Sequence, residues 1–255
     1  MMDWTGRTVF ITGATAGFGA AMARRYAAAG ARLILCGRRA ERLDALARDL
    51  SVPVHAVTLD VRDRGAVQAA ANSLPAEFAA IDVLVNNAGL ALGLEPAHRA
   101  DLDEWERMVD TNVKGLMYVT RAVLPGMVAR DRGHVVNIGS VAGAYPYPGG
   151  NAYGATKAAV AQFSLNLIAD LVTTRVRVTN IEPGLCGGSE FSLVRFRGDA
   201  ERAAKVYQNT TPLTSEDVAE AVFWATSLPA HININRIEMM PVSQGPAGLA
   251  VHRGG

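Results

Sequence analysis

Thr8-Val9-Phe10-Ile11-Thr12-Gly13-Ala14-Thr15-Ala16-Gly17-Phe18-Gly19 is the stretch that decides how this chain folds. Its first five residues are a short apolar run and read as a strand. Three glycines follow, at 13, 17 and 19, and then Ala20-Ala21-Met22-Ala23-Arg24-Arg25-Tyr26-Ala27, which favours helix. A strand, a glycine-rich turn and a helix in that order let a backbone approach a pyrophosphate. The helix N-terminus supplies free N–H groups and the positive end of its dipole. The glycine spacing is G-x3-G-x-G, not the commoner G-x-G-x-x-G.

Outward from this unit, strand and helix patterns alternate. Strands are expected at Thr8–Thr12, Arg32–Cys36, Val54–Leu59, Val83–Asn86, Gly133–Ile138, Arg175–Ile181 and Arg236–Met240. Helices fit Phe18–Ala29, Ala40–Asp49, Arg64–Ser73, Leu102–Ala129, Ala152–Leu171 and Ser215–Thr226, with Asp101 and Glu104 as a capping pair for the fourth. The alternation predicts one α/β domain over residues 1–255, doubly wound, with a seven-stranded mostly parallel sheet and helices on both faces. In such sheets ligands bind beyond the carboxyl ends of the strands. There the sequence places Gly13, Gly37, Asp60, Asn86, Ser140 and Pro183.

Composition narrows the function. A net charge of +1 offers no electrostatic case for nucleic acid or an anionic membrane. No apolar run reaches membrane-spanning length, and the N-terminus enters the first strand without a signal-peptide core. Cys36 and Cys186 form no framework for disulfides or metal, which fits a reducing cytoplasm. The five histidines lack ligand spacing and read as structural or surface residues, so no metal is expected.

The chemistry is carried by Tyr153 and Lys157. Lysine is scarce, with only Lys114, Lys157 and Lys205 against 22 arginines, and one of the three lies four residues after a tyrosine. Positions i and i+4 share a helix face. An ammonium there favours the phenolate and equips the tyrosine to exchange a proton with an alcohol or carbonyl.

Thr12-Gly13-x3-Gly17-x-Gly19, Asp60-Val61, Asn86-Asn87-Ala88-Gly89, Asn112, Ser140, Tyr153-x3-Lys157 and Pro183-Gly184, in this order, resemble the short-chain dehydrogenase/reductase family over essentially the whole chain. The resemblance implies a Rossmann-like fold and assigns roles. Tyr153 is the general acid/base, and Ser140 holds the substrate oxygen. Lys157 tunes the tyrosine and binds the nicotinamide ribose. Asn112 holds a water leading from Lys157 to solvent. Gly13, Thr15, Gly17, Phe18 and Gly19 line the diphosphate. Asp60 and Val61 contact the adenine, and Asn86, Ala88 and Gly89 lie near the ribose. Pro183, Gly184 and Leu185 lie on the nicotinamide side, although Gly188 stands where most of the family carries a threonine.

Cofactor choice follows from charge. NAD enzymes place an acid after the second strand to accept from the ribose 2′-OH. Here Gly37 is followed by Arg38 and Arg39, and a guanidinium pairs with a 2′-phosphate, so NADP (NADPH) is expected. The basic residue that many NADP-preferring relatives carry before the second glycine is replaced by Ala16.

The segment Asn180–Ser192, together with Glu95-Pro96-Ala97-His98 and Glu238-Met239-Met240-Pro241-Val242, resembles one subgroup, the NADP-dependent 3-hydroxy acid dehydrogenases. That implies serine, allo-threonine, 3-hydroxyisobutyrate or 3-hydroxypropionate as substrate. A broad carbonyl reductase is the alternative, and a non-catalytic NADP sensor a lower one. A buried substrate carboxylate needs a partner. Arg195 is the expected clamp, with Arg197, Lys205 and the tail residue Arg253 behind it. They lie in or beyond a covering segment near 184–212; the tail itself spans 241–255. The resemblance also implies a homotetramer built from paired long helices.

Overall fold

The structure, a computed structural model, describes residues 3–245. Seven strands pair, all in parallel, in the order β3-β2-β1-β4-β5-β6-β7. They are β1 (Thr8–Thr12), β2 (Arg32–Gly37), β3 (Val54–Thr58), β4 (Ile81–Asn86), β5 (Gly133–Ile138), β6 (Val176–Pro183) and β7 (Arg236–Met239). The order reverses between β1 and β4, which opens a crevice at their carboxyl ends.

Because side chains alternate along a strand, each strand feeds two cores. Val9, Ile11, Leu33, Leu35, Val83 and Val85 pack under α1 (Gly17–Ala28), α2 (Ala40–Asp49) and α9 (Ser215–Ser227). Phe10, Ile34, Leu84 and Val135 face the opposite way, toward α3 (Arg64–Asn72), α5 (Leu116–Ala129) and α6 (Asn151–Asp170). Burial on both faces explains the apolar runs of β1, β2 and β4.

Three expectations need correcting. The single helix over 102–129 is two, α4 (Leu102–Val109) and α5, joined by a π-helical turn at Asp110–Gly115. Asp101 does cap α4, accepting from the Asp103 N–H at 2.9 Å. Glu104 does not complete a capping box, because its carboxylate takes Arg197 at 2.7 Å. A reciprocal box exists instead at Thr214 and Asp217, opening α9. The covering segment is not all loop: it contains α7 (Phe191–Arg195) and α8 (Ala200–Lys205).

Candidate active site

The turn after β1 needs its glycines for two different reasons. Gly13 has φ of +65°, and a Cβ there would lie 2.9 Å from the Ala88 backbone, so only glycine lets the ends of β1 and β4 approach. A Cβ on Gly19 would lie 2.3 Å from the Gly13 carbonyl. Gly19 therefore seats α1 against the turn and does not itself line the cleft. Ala16, the residue before α1, makes no side-chain cap, so the first N–H groups of the helix stay open to a ligand.

A cavity of about 700 Å³ runs from this turn across the strand ends. It is lined by Gly13, Thr15, Gly17 and Phe18, by Arg38 and Arg39, by Asp60 and Val61, and by Ala88 and Gly89. Farther along come Ser140, Tyr153 and Lys157, and then Pro183, Gly184, Leu185 and Arg195. Residues scattered over 180 positions of sequence thus share one cleft, of the size and concavity of a small-molecule site.

One further expected contact falls elsewhere. Asn86 is buried in the sheet, donating to Thr120 Oγ1 at 2.8 Å and to Asn137 Oδ1 at 2.9 Å. Its neighbour Asn87 lines the cleft instead. One step along a strand turns a side chain to the other face, so the same dipeptide supplies one packing and one lining residue. Asn112 stands behind the cleft wall on the Lys157 side: a Cβ on Gly89 would lie 3.2 Å from Asn112 Oδ1 and 3.6 Å from Lys157 Nζ. Its amide accepts from the Leu90 N–H at 2.8 Å and donates to the Leu90 carbonyl at 2.8 Å and to Thr156 Oγ1 at 3.1 Å. The π-helical turn sets it there, so its side chain positions the loop after β4.

Tyr153 and Lys157 lie one turn apart on the buried stripe of α6. Ser140 follows β5, and its hydroxyl accepts from the Ala142 N–H at 3.1 Å. The tyrosine is not tuned down as its spacing with lysine implies. Burial pushes the phenol up to about 12, and the Ser140 hydroxyl only partly offsets this. Lys157 is itself buried and lowered to about 8 by loss of hydration. Its ammonium donates to the Ile138 carbonyl at 2.7 Å and stands 5.8 Å from the Tyr153 ring centre. Desolvation is the largest cause for both groups.

The far end of the cleft carries a positive charge. Arg195 Nη2 donates to the Tyr147 hydroxyl at 2.6 Å and Nε to the Gly93 carbonyl at 3.2 Å. Its guanidinium carbon lies 5.7 Å from the Tyr153 ring centre. The other proposed clamps are engaged away from the cavity. Arg197 pairs with Glu104 at 2.7 Å, and Lys205 with Glu201 at 2.9 Å. Arg253 lies outside the described residues. Cys186 also lines the cavity, its thiol pushed up to about 12 by burial, which suits an inert filler.

Sequence reasoning missed Tyr147, Glu190 and Gln244. The last, from the start of the tail, accepts from the Leu185 N–H at 2.6 Å. Tyr147 and Glu190 follow no spacing rule, and Gln244 is carried to the site by chain path alone.

A family model for short chain dehydrogenases matches residues 7–193. The chain belongs to that family. NADP-dependent 3-hydroxy acid dehydrogenase YdfG of Salmonella typhi is 64% identical over 245 residues, which cover 96% of this chain and 99% of the relative. Sulfoacetaldehyde reductase 2 of Chromohalobacter salexigens is 54% identical, covering 96% and 98%. Among solved structures, the closed form of a serine dehydrogenase complexed with NADP+ is 61% identical, with a TM-score of 0.96 over 97% of this chain and all of that one.

Proposed function

We propose that this short-chain dehydrogenase is an NADP-dependent oxidoreductase acting on the 3-hydroxyl of small 3-hydroxy acids. The observation that carries the reading is the pairing of one cavity's two ends: Tyr153 and Ser140 at a reaction centre, and the Arg195 guanidinium beyond it. The glycine turn, the open N-terminus of α1 and the arginines after β2 fit a dinucleotide with a 2′-phosphate. Bound there, the nicotinamide supplies the hydride or accepts it.

The chain's own groups handle the rest. In the reducing direction Tyr153 donates its phenolic proton to the carbonyl oxygen, and the Ser140 hydroxyl donates a second hydrogen bond that stabilises the developing charge. The high phenol pKa keeps that proton in place until it is needed. Burial lowers Lys157 to about 8, so its ammonium gives up a proton more readily than an exposed lysine. Asn112 keeps the Leu90 loop fixed against α6 through Thr156. Arg195 and Tyr147 offer donors to the substrate's acid group, and Phe191 packs edge-on to Tyr153 at 5.8 Å, excluding water from the ring.

A sulfonate in place of the carboxylate is a second reading, favoured by the likeness to a sulfoacetaldehyde reductase. Sulfoacetaldehyde and malonic semialdehyde both place one methylene between the aldehyde and the acid group, so a single clamp position serves either. The exposed apolar residues Leu102, Val109, Met117, Leu165 and Val172 on and beside α4, α5 and α6 support a homotetramer. Among the described residues no helix is long and apolar enough to cross a membrane, and we place the activity in the cytoplasm.

Replacing Arg195 tests the acid requirement. Losing a charged hydrogen bond of this kind costs about 2–4 kcal/mol, or roughly 30- to 1,000-fold in kcat/KM. Arg195→Ala is expected to lose that much on serine or 3-hydroxyisobutyrate and to keep its rate on a neutral ketone. Equal losses on both would make Arg195 structural.

A further inference from the structure

The covering segment reaches across the mouth of the cleft to the arginines that follow β2. Glu190, just before α7, accepts from Arg39 Nη1 at 2.7 Å and from Arg42 Nη1 at 2.9 Å. On its other edge the Arg39 guanidinium donates to Thr15 Oγ1, through Nε at 3.2 Å and Nη2 at 2.9 Å. Thr15 belongs to the glycine turn, so Arg39 is stretched between the diphosphate loop and a carboxylate. Thr15, Arg38, Arg39 and Glu190 all line the cavity, whereas Arg42 stands behind them on α2 and does not. Arg38 is exposed and has no hydrogen-bond or ion-pair partner among the described residues.

A carboxylate in this place meets the same donors as a phosphate bound at the end of β2. The two anions also repel each other. The cluster holds three guanidinium groups and one carboxylate, an excess of two positive charges, which suits a phosphate dianion once Glu190 is kept aside. The side chains of Glu190, Arg39 and Arg42 are 38%, 41% and 50% exposed, so water can accompany their rearrangement. Arg42 is placed to retain Glu190 when Arg39 turns to another anion.

We propose that Glu190 is a specificity-determining residue for the 2′ end of the cofactor, an internal anion that holds Arg39 and gives it up to a 2′-phosphate. The proposal rests on the NADP reading above. It assigns three different jobs to three neighbouring arginines. Arg38 meets the phosphate directly, Arg39 exchanges one anion for the other, and Arg42 holds the displaced carboxylate. A cofactor without the phosphate leaves the Glu190–Arg39 pair intact and does not sense it.

Equilibrium titration of the purified full chain with NADPH and with NADH tests this. Removing the competing charge in Glu190→Gln is expected to tighten NADPH by about two- to fivefold, the range of an exposed ion pair, and to leave NADH unchanged. Glu190→Asp should fall between the two. Arg42→Gln, which leaves Glu190 with Arg39 alone, should weaken NADPH and again spare NADH. If Glu190→Gln leaves NADPH affinity unchanged or lowers it, or shifts both cofactors equally, Glu190 only fastens the segment and the proposal is overturned. The wild-type ratio separates the premise from the proposal. A chain that binds NADPH and NADH alike overturns the NADP reading and the proposal with it; one that prefers NADPH but is indifferent to Glu190→Gln overturns the proposal alone.

Discussion

Tyr153 shows how far residue-level reading reaches. Its identity and its spacing from Lys157 and Ser140 are plain in the sequence, because an i, i+4 pair on a helix is a local property. Its acidity is not local. The phenol rises to about 12 because it is buried, and Phe191 of the covering segment packs against it with ring centres 5.8 Å apart. The same limit applies to Asn86 and Asn87, adjacent in sequence but on opposite faces of the sheet end. The tyrosine's role has a direct test. Tyr153→Phe keeps the ring and removes the proton, so turnover should fall by at least about 100-fold while NADPH still binds. A variant that keeps a tenth of the wild-type rate would remove Tyr153 from the chemistry.

At the scale of elements the strands were the most legible part. The inner strands β1, β2 and β4 are apolar runs, and β1 and β5 match their expected limits. The break in the long helix was hidden, since a π-helical turn shifts the register by one residue without interrupting the apolar pattern. Helices α7 and α8 were hidden too, being five and six residues long and held by tertiary contacts such as Ser192 Oγ to the Tyr207 hydroxyl at 2.6 Å. Strand β5 carries a feature with a pH signature. His134 is buried, shares a hydrogen bond with Thr179 Oγ1 at 2.7 Å, and is held well below its ordinary value by desolvation and then by Arg177. Its unfolded form takes up a proton as pH falls below about 6.5, and its folded form does not. Its contribution is therefore present above that value and lost on acidification. Urea denaturation at about pH 7 and pH 5.5 should show a loss of stability that His134→Gln reduces. An equal loss in both proteins would contradict the assignment.

For the whole molecule, the alternation of strands and helices was enough to predict a doubly wound sheet, and connection handedness and strand order follow from general rules. The path of roughly the last quarter of the chain was not predictable in this way. The stretch from Glu190 onward brings Glu190, Arg195 and Gln244 over the cleft through contacts with Arg39, Tyr147 and Leu185 that no periodicity encodes. Assembly belongs to this scale. Trp224 on α9 is 53% exposed and Leu165 on α6 is 49% exposed, more apolar surface than a lone subunit benefits from showing. Light scattering at micromolar concentration should report four copies, and a monomer would refute the proposed tetramer.

The central claim, that the cleft recognises an acid group and a 2′-phosphate together, is tested most directly by the initial rate of NADPH formation with the purified chain. Free 3-hydroxypropionate and its methyl ester are compared, each with NADP+ and with NAD+. Rapid NADP+ reduction by the free acid, with large losses both for the ester and for NAD+, is the predicted result. Equal rates for acid and ester would instead mark a general carbonyl reductase, and no reduction with any pairing would contradict the account as a whole.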